Sequence, residues 1–197
     1  MSAPVKINFK VYQGSTFREV FRWESSTKVY VPIQAIAKSA PVLITTSEPH
    51  GIPVGWRARV TGVSGMKEIN STVDQYHVVT GTTINTLEFN EINATTFTTY
   101  TSGGIVEYNQ PVPLNGYTGR LQIRQKVDSA DIILELTTEN DGVVIDTAYN
   151  TITIQMTDEQ TAAFNFQTAV YSLELQKNGE VVAFCNGNLT LVKEVTR

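Results

Sequence analysis

Cysteine occurs once, as Cys185, and histidine twice, as His50 and His77, in a chain of 197 residues. A single thiol cannot close an internal disulfide, so a disulfide-stapled secreted scaffold is excluded and a reducing site of synthesis is expected. His50 falls in a predicted turn before Gly51 and His77 in a predicted strand, so a shared metal or catalytic role requires the fold to bring them together. Charge is also scarce, at 17% of residues, with a formal net charge of -4. Phosphate backbones are held by clustered Lys and Arg; no such cluster occurs, which argues against nucleic acid as a partner. No apolar run approaches the length that crosses a bilayer, and the opening MSAPVKINFKVYQG has no basic region followed by an apolar core. The expectation is therefore synthesis in a cytosol and no membrane partner.

What is present is β-forming. Hydrophobic residues make up 41% of the chain, enough for a real core. Val, Ile and Thr recur in alternating runs punctuated by Gly and Asn, which favours strands over helices. The clearest stretch is Val170 to Val192. Asn178-Gly179 separates two alternating runs, and this pair adopts the two positive φ angles of a type I′ turn. Placing Lys177 opposite Glu180 sets Leu175 against Val182, Leu173 against Phe184 and Tyr171 against Asn186. The apolar positions then pass from even to odd numbers, which predicts a one-residue bulge near Gly187.

Along the chain, strands are expected at Ile7 to Val11 and Thr16 to Trp23, and a third, Val29 to Val31, ends at Pro32, a residue tolerated at a sheet edge and not in its middle. From about Gln34 to Tyr108 the texture turns to short strands and dense turns: Val42 to Thr46, Arg57 to Thr61, Gln75 to Thr80, Thr86 to Phe89 and Gly104 to Glu107, the pattern of a small barrel. Regular strands resume at Tyr117 to Lys126, Ile132 to Leu136, Val143 to Ile145 and Thr151 to Met156. Thr157-Asp158-Glu159-Gln160 has the spacing of a capping box and predicts a helix of at most two turns.

The residues that might carry chemistry have simpler readings. Cys185, beside Phe184 on a predicted strand, is a small buried hydrophobe without an evident basic neighbour. Gly62-Val63-Ser64-Gly65 lacks the spacing and the strand-to-helix context of a nucleophile elbow. Glu139-Asn140-Asp141-Gly142 with Asp146 lacks the alternating ligands and distal glutamate of a calcium loop and reads as a hairpin turn. Asp128, Asp131 and Glu135 read as a solvated strand edge, and Phe97 to Thr101 as a strand ending in a turn, although its aromatic and hydroxyl groups resemble a carbohydrate platform. No residue is nominated as catalytic, cofactor-binding or metal-ligating. No cofactor and no enzyme activity are expected.

Two resemblances emerge from the motifs. The outer segments contain Gly14-x-Thr16-Phe17 and Trp23, then Pro113-Leu114-Asn115-Gly116-Tyr117-Thr118-x-Arg120-Leu121-Gln122-Ile123-Arg124, Thr151-Ile152-Thr153-Ile154, Tyr171-x-Leu173-Glu174-Leu175 and the closing Glu194-Val195-Thr196-Arg197. These look like small tailed-bacteriophage structural proteins and are similar to the N-terminal domain of phage upper baseplate proteins. The middle segment contains Thr45-Thr46-Ser47-x-Pro49-His50-Gly51, Val54-Gly55, Gly62-Val63-x-Gly65-Met66, Ile69-Asn70, Tyr76-x-Val78 and Tyr100-Thr101-Ser102-Gly103-Gly104. It resembles the module labelled after the first catalytic-cysteine half-domain of ubiquitin-activating enzymes, which in phage proteins implies a small β-barrel and no ubiquitin chemistry. Ile52-Pro53 departs from that pattern and bears on turn geometry alone.

The resemblances imply an all-β protein: an immunoglobulin-like β-sandwich built from both chain ends, 1-36 and 108-197, with a β-barrel module, 37-107, inserted between them. They further imply a virion component of a tailed phage, in the tail, baseplate or neck, that joins other virion proteins or anchors fibres in many copies of a symmetric assembly, after synthesis in the bacterial host cytoplasm. The alternatives are a capsid decoration protein and a carbohydrate-binding module that touches the host surface.

Overall fold

Alternation of apolar and polar residues decides the secondary structure almost throughout. The computed structural model describes residues 4-194; Val195, Thr196 and Arg197 of the closing motif lie outside the described residues. In chain order the strands are β1 (Val5–Lys6), β2 (Phe9–Tyr12), β3 (Phe17–Phe21), β4 (Glu24–Ala37), β5 (Val42–Thr46), β6 (Arg57–Ser64), β7 (His77–Val78), β8 (Gly81–Thr82), β9 (Thr86–Phe89) and β10 (Ser102–Pro111). They continue with β11 (Thr118–Arg124), β12 (Leu134–Thr137), β13 (Val143–Asp146), β14 (Thr151–Met156), the helix α1 (Asp158–Ala162), β15 (Thr168–Lys177) and β16 (Glu180–Val192). The protein is all-β.

The chain divides into two compact units, one of residues 1-21, 113-147 and 151-197, the other of residues 22-112 and 148-150. The first is a sandwich. Its larger sheet runs β1-β16-β15-β11-β12, with β2 also on β16, and its smaller sheet runs β13-β14-β3. β1 and β2 both pair in parallel with β16, tying the start of the described chain to its last strand. Between the sheets, Leu121, Ile123 and Leu189 face Ile154, Met156 and Phe17 across a residual void of only about 10 Å3. Phe9 stacks on Tyr171 and meets Phe17 edge-on, a packing in which area burial and ring geometry both stabilise.

Asn178 and Gly179 take φ of 52° and 83°, the expected hairpin turn. Lys177 pairs with Glu180 and Leu175 with Val182 as predicted, but Leu173 pairs with Cys185 and Tyr171 with Gly187. The bulge therefore falls at Ala183-Phe184, earlier than expected. The earlier shift puts Gly187 on the inner side, where the incoming N-terminal segment crosses it: a Cβ there would sit 1.8 Å from the Ile7 carbonyl oxygen. Only glycine permits that approach, so the crossing chain decides the register. The capping box at α1 is present, with the Thr157 hydroxyl accepting from the Gln160 amide and the Gln160 side chain accepting from the Thr157 amide.

The second unit is one sheet in the order β7-β6-β10-β4-β5-β9-β8. Its two end strands belong to a single segment, 77-82. Val79 exchanges hydrogen bonds with the β6 side through Gly55 and Trp56, while the Thr80 amide donates to Glu88 on the β9 side. The sheet thus curls until one segment closes both edges, which removes free edge strands. Trp56, Phe89, Ile44, Met66 and Leu87 are fully buried inside. Truncating such a ring or branched chain typically costs about 2–5 kcal/mol.

Two expectations change here. The sequence suggested a break at Pro32 and an insertion spanning 37-107. Instead β4 runs unbroken from Glu24 to Ala37 through Pro32, which stands where the ladder with β10 ends, opposite Ile105, and one residue before the ladder with β5 begins. Pro32 is tolerated because its carbonyl accepts from Ser47, one residue past the end of β5; its missing N–H points to the same side, where no partner strand continues. Residues 22-36 and 108-112 consequently belong to the second unit. The Glu139-to-Asp146 stretch also differs: its turn joins β12 of one sheet to β13 of the other and is not a hairpin.

Candidate functional site

The structure places the residues weighed for chemistry in separate surroundings. His50 is buried; its Nδ1 accepts from the Ile52 amide at 3.0 Å and its Nε2 lies 3.0 Å from the Thr86 carbonyl oxygen, which assigns the proton to Nε2. The Tyr108 hydroxyl donates to the His50 carbonyl. The Pro49-His50-Gly51 motif, expected as a turn, is irregular chain; the turn lies at Val54-Gly55, and the His50 imidazole ties this loop to the start of β9. His77 bonds Glu91 through Nδ1 and lies on the Phe89 ring at 5.3 Å. Each histidine has its own partners.

Cys185 is completely buried, 3.9 Å from the Tyr171 hydroxyl, and burial pushes its thiol up to about 11. Ser64 lies in the β6–β10 ladder opposite Ser102, and the Asn70 side chain caps the neighbouring Val63 amide and carbonyl at 2.9 and 3.0 Å. Phe97 to Thr101 is irregular and not a strand: Phe97 packs on the barrel core, and the Tyr100 hydroxyl donates to Ile33 and Gly103 carbonyls. Both rings are half-buried. Glu135 accepts from Arg120 and Gln122, while Asp128 and Asp131 sit on the preceding loop.

The most highly organised polar surface lies elsewhere, on the outer face of β4, β10 and β6. Register places Tyr30, Glu107 and Arg59 in one row across the three strands, and Lys28 beside Asn109 in the next. Glu107 is only 3% exposed. Its Oε1 accepts from Lys28 Nζ, and its Oε2 accepts from Arg59 Nε at 2.9 Å and Nη2 at 2.6 Å. Burial by itself would raise the Glu107 pKa; the hydrogen bonds from Lys28 and Arg59 outweigh it and hold the carboxyl below its ordinary range. Arg57 is held the same way by Glu24, at 2.8 and 2.6 Å. The Arg57 and Arg59 guanidinium carbons lie 5.2 and 5.9 Å from the centre of the Tyr76 ring, within cation–π range. Tyr30, at 54% exposed, completes the surface.

No protein-family model matches this chain, and no curated protein is found similar to it.

The face can do one thing well. Its arginines are immobilised before any partner arrives, and Tyr and Arg are the side chains that most often anchor protein interfaces. Sequence reading passed over it. The signal available was the i, i+2 spacing of Arg57 and Arg59 on a predicted strand, which puts both on one face. Glu107 and Lys28 join them only because β10 lies between β6 and β4, a pairing across 48 and 79 residues of chain.

Proposed function

We propose that this chain is a structural component of a tailed-phage virion, in the tail, baseplate or neck, where it acts as a protein–protein assembly or fibre-anchoring element. The observation that supports the reading best is the prearranged Tyr30/Arg57/Arg59/Tyr76 face of the barrel. Arg57 and Arg59, already held by carboxylates and set against the Tyr76 ring, lose little freedom on docking, which suits a permanent joint between rigid bodies. The phage-protein resemblance of the outer segments supplies the setting, and the all-β, two-unit architecture is of a kind suited to repeated surfaces.

The test is co-sedimentation of the purified chain with separated phage tails and heads. Binding to tails, weakened by Arg57→Ala and Tyr30→Ala while both variants keep the wild-type unfolding midpoint, supports the reading. Binding to heads alone assigns the capsid-decoration alternative. Binding to neither, with a positive glycan array, sinks the assembly role.

A further inference from the structure

The outer face of β4, β10 and β6 is balanced in charge but open in its hydrogen bonding. Lys28, Arg57 and Arg59 are bonded directly to Glu24 and Glu107, and Asp74, on the turn before β7, is a further carboxylate acting on Arg59. Three cations against three carboxylates leave no net charge. The acceptor atoms of the two bonded carboxylates are all engaged. Glu107 takes Lys28 on Oε1 and Arg59 on Oε2, while Glu24 takes Arg57 on both oxygens, with Asn109 Nδ2 3.4 Å from its Oε2.

Donors remain. Each guanidinium turns its Nε and Nη2 edge to its carboxylate, and among the described residues neither Arg57 Nη1 nor Arg59 Nη1 has a hydrogen-bond partner. A guanidinium carries N–H donors on every nitrogen in one fixed plane, so both Nη1 groups stay available on planes already held beside the Tyr76 ring. The Tyr30 and Tyr76 hydroxyls likewise bond nothing among the described residues. Val78 stands opposite Arg57 in the β6–β7 ladder, and hence on the same face. Val78 is 51% exposed and Tyr30 54%, so apolar area flanks the free donors on the β7 side and on the β4 side.

We propose that the partner seated on this face is an uncharged protein surface rich in backbone or side-chain amide carbonyls, and that Arg57 Nη1 and Arg59 Nη1 donate to those carbonyls. The face selects a carbonyl because its arginines are already neutralised. A carboxylate would lose its hydration without meeting an uncompensated cation, whereas a carbonyl costs less to desolvate and accepts from the same N–H groups. Tyr30 and Val78 pack against the apolar area around such carbonyls. The inference rests on the assembly reading above and names the chemistry of its partner. A joint of this kind is insensitive to salt, unlike one steered by opposite charges.

The experiment is co-sedimentation of the full chain with separated phage tails, or with heads where these alone bind, at about 0.05 and about 0.5 M salt. Arg57→Lys and Arg59→Lys are compared with the alanine variant at each position. The wild-type dissociation constant is expected to change by less than about twofold across the salt range. Each lysine variant keeps the charge and loses the planar donors, so it is expected to bind about fivefold more weakly or worse, close to its alanine counterpart. If Arg59→Lys also lowers the unfolding midpoint, Arg57→Lys decides, because the Arg57 side chain is 56% exposed and can be changed with little effect on folding. Binding that weakens about tenfold or more with salt overturns the proposal, as do lysine variants that bind like the wild type. Displacement by polyglutamate at low salt assigns an acidic partner and overturns it; displacement by dextran assigns a glycan and overturns it too. Salt-sensitive binding to tails removes this inference alone, whereas binding to neither tails nor heads removes the assembly reading and this inference with it.

Discussion

Replacing Glu107 by Gln keeps the shape of the side chain and removes the charge on which two cations converge. The magnitude follows from exposure: the Glu107 side chain is 4% exposed, against 20% for Arg59 and 41% for Lys28. Removing one partner of a fully buried pair costs roughly 3–5 kcal/mol, and an exposed pair is worth about 1 kcal/mol or less. Here the acceptor is buried and both donors reach water, so the expected loss is about 1–3 kcal/mol at neutral pH. The assay is urea unfolding followed by tryptophan fluorescence. Both tryptophans, Trp23 and Trp56, lie in the second unit, so their emission reports that unit and not the sandwich. The sign with pH is also determined. A carboxyl whose folded-state pKa is depressed contributes stability above its ordinary value of 4.5, and the contribution is lost as pH falls through the lower folded-state value. The gap between wild type and Glu107→Gln must therefore close in acid. Equal midpoints at neutral pH, or a gap that persists undiminished in acid, would refute the account of the ladder.

Gly187→Ala drives a methyl group into the Ile7 carbonyl, and about 1–3 kcal/mol of strain is expected, read as a lower thermal midpoint in the near-ultraviolet signal of the sandwich tyrosines. His50→Ala leaves the Ile52 amide and the Thr86 carbonyl without their buried partner; tryptophan-detected unfolding should move by about 1–3 kcal/mol, whereas any loss of a catalytic activity would contradict its role as a tie between this loop and β9. Cys185, buried and with its thiol raised to about 11, should resist a thiol reagent at pH 8 in the native protein and react at once in denaturant; rapid native labelling would place it at the surface. Replacing 22-112 by a short Gly/Ser linker should leave a folded sandwich, because the Val112 amide donates to the Trp23 carbonyl at 2.9 Å and the two junctions therefore lie side by side. Removing only 37-107 should instead leave most of β4 exposed and aggregation-prone, since all of β5 and the 102-107 part of β10 depart; circular dichroism and light scattering separate the two outcomes.

Local pattern was a good guide wherever a feature is made by neighbours in sequence. Val42–Thr46, Thr86–Phe89 and Thr151–Met156 are strands with the bounds their alternation suggested, the Asn178-Gly179 turn has both positive φ angles, and Thr157 and Gln160 close their capping box. The burial of Cys185 and the place of His77 in a strand were legible for the same reason, whereas the turn expected at His50 is irregular chain. The β6–β10–β4 face was not legible, because no local pattern pairs Glu107 with residues 48 and 79 positions earlier.

By itself, the sequence determined an all-β chain with a carefully punctuated C-terminal hairpin and a middle region of different texture, since alternation, turn residues and caps act over a few residues. Tertiary structure alone decided that β4 continues through Pro32 from one partner strand to the next, that the bulge lies at Ala183-Phe184, that the units meet the chain at 21/22 and 112/113, and that a buried glutamate collects Lys28 and Arg59. Each of those depends on which strand lies alongside. A strand's own residues specify the face it buries, but its neighbour is selected by the closure of the whole sheet.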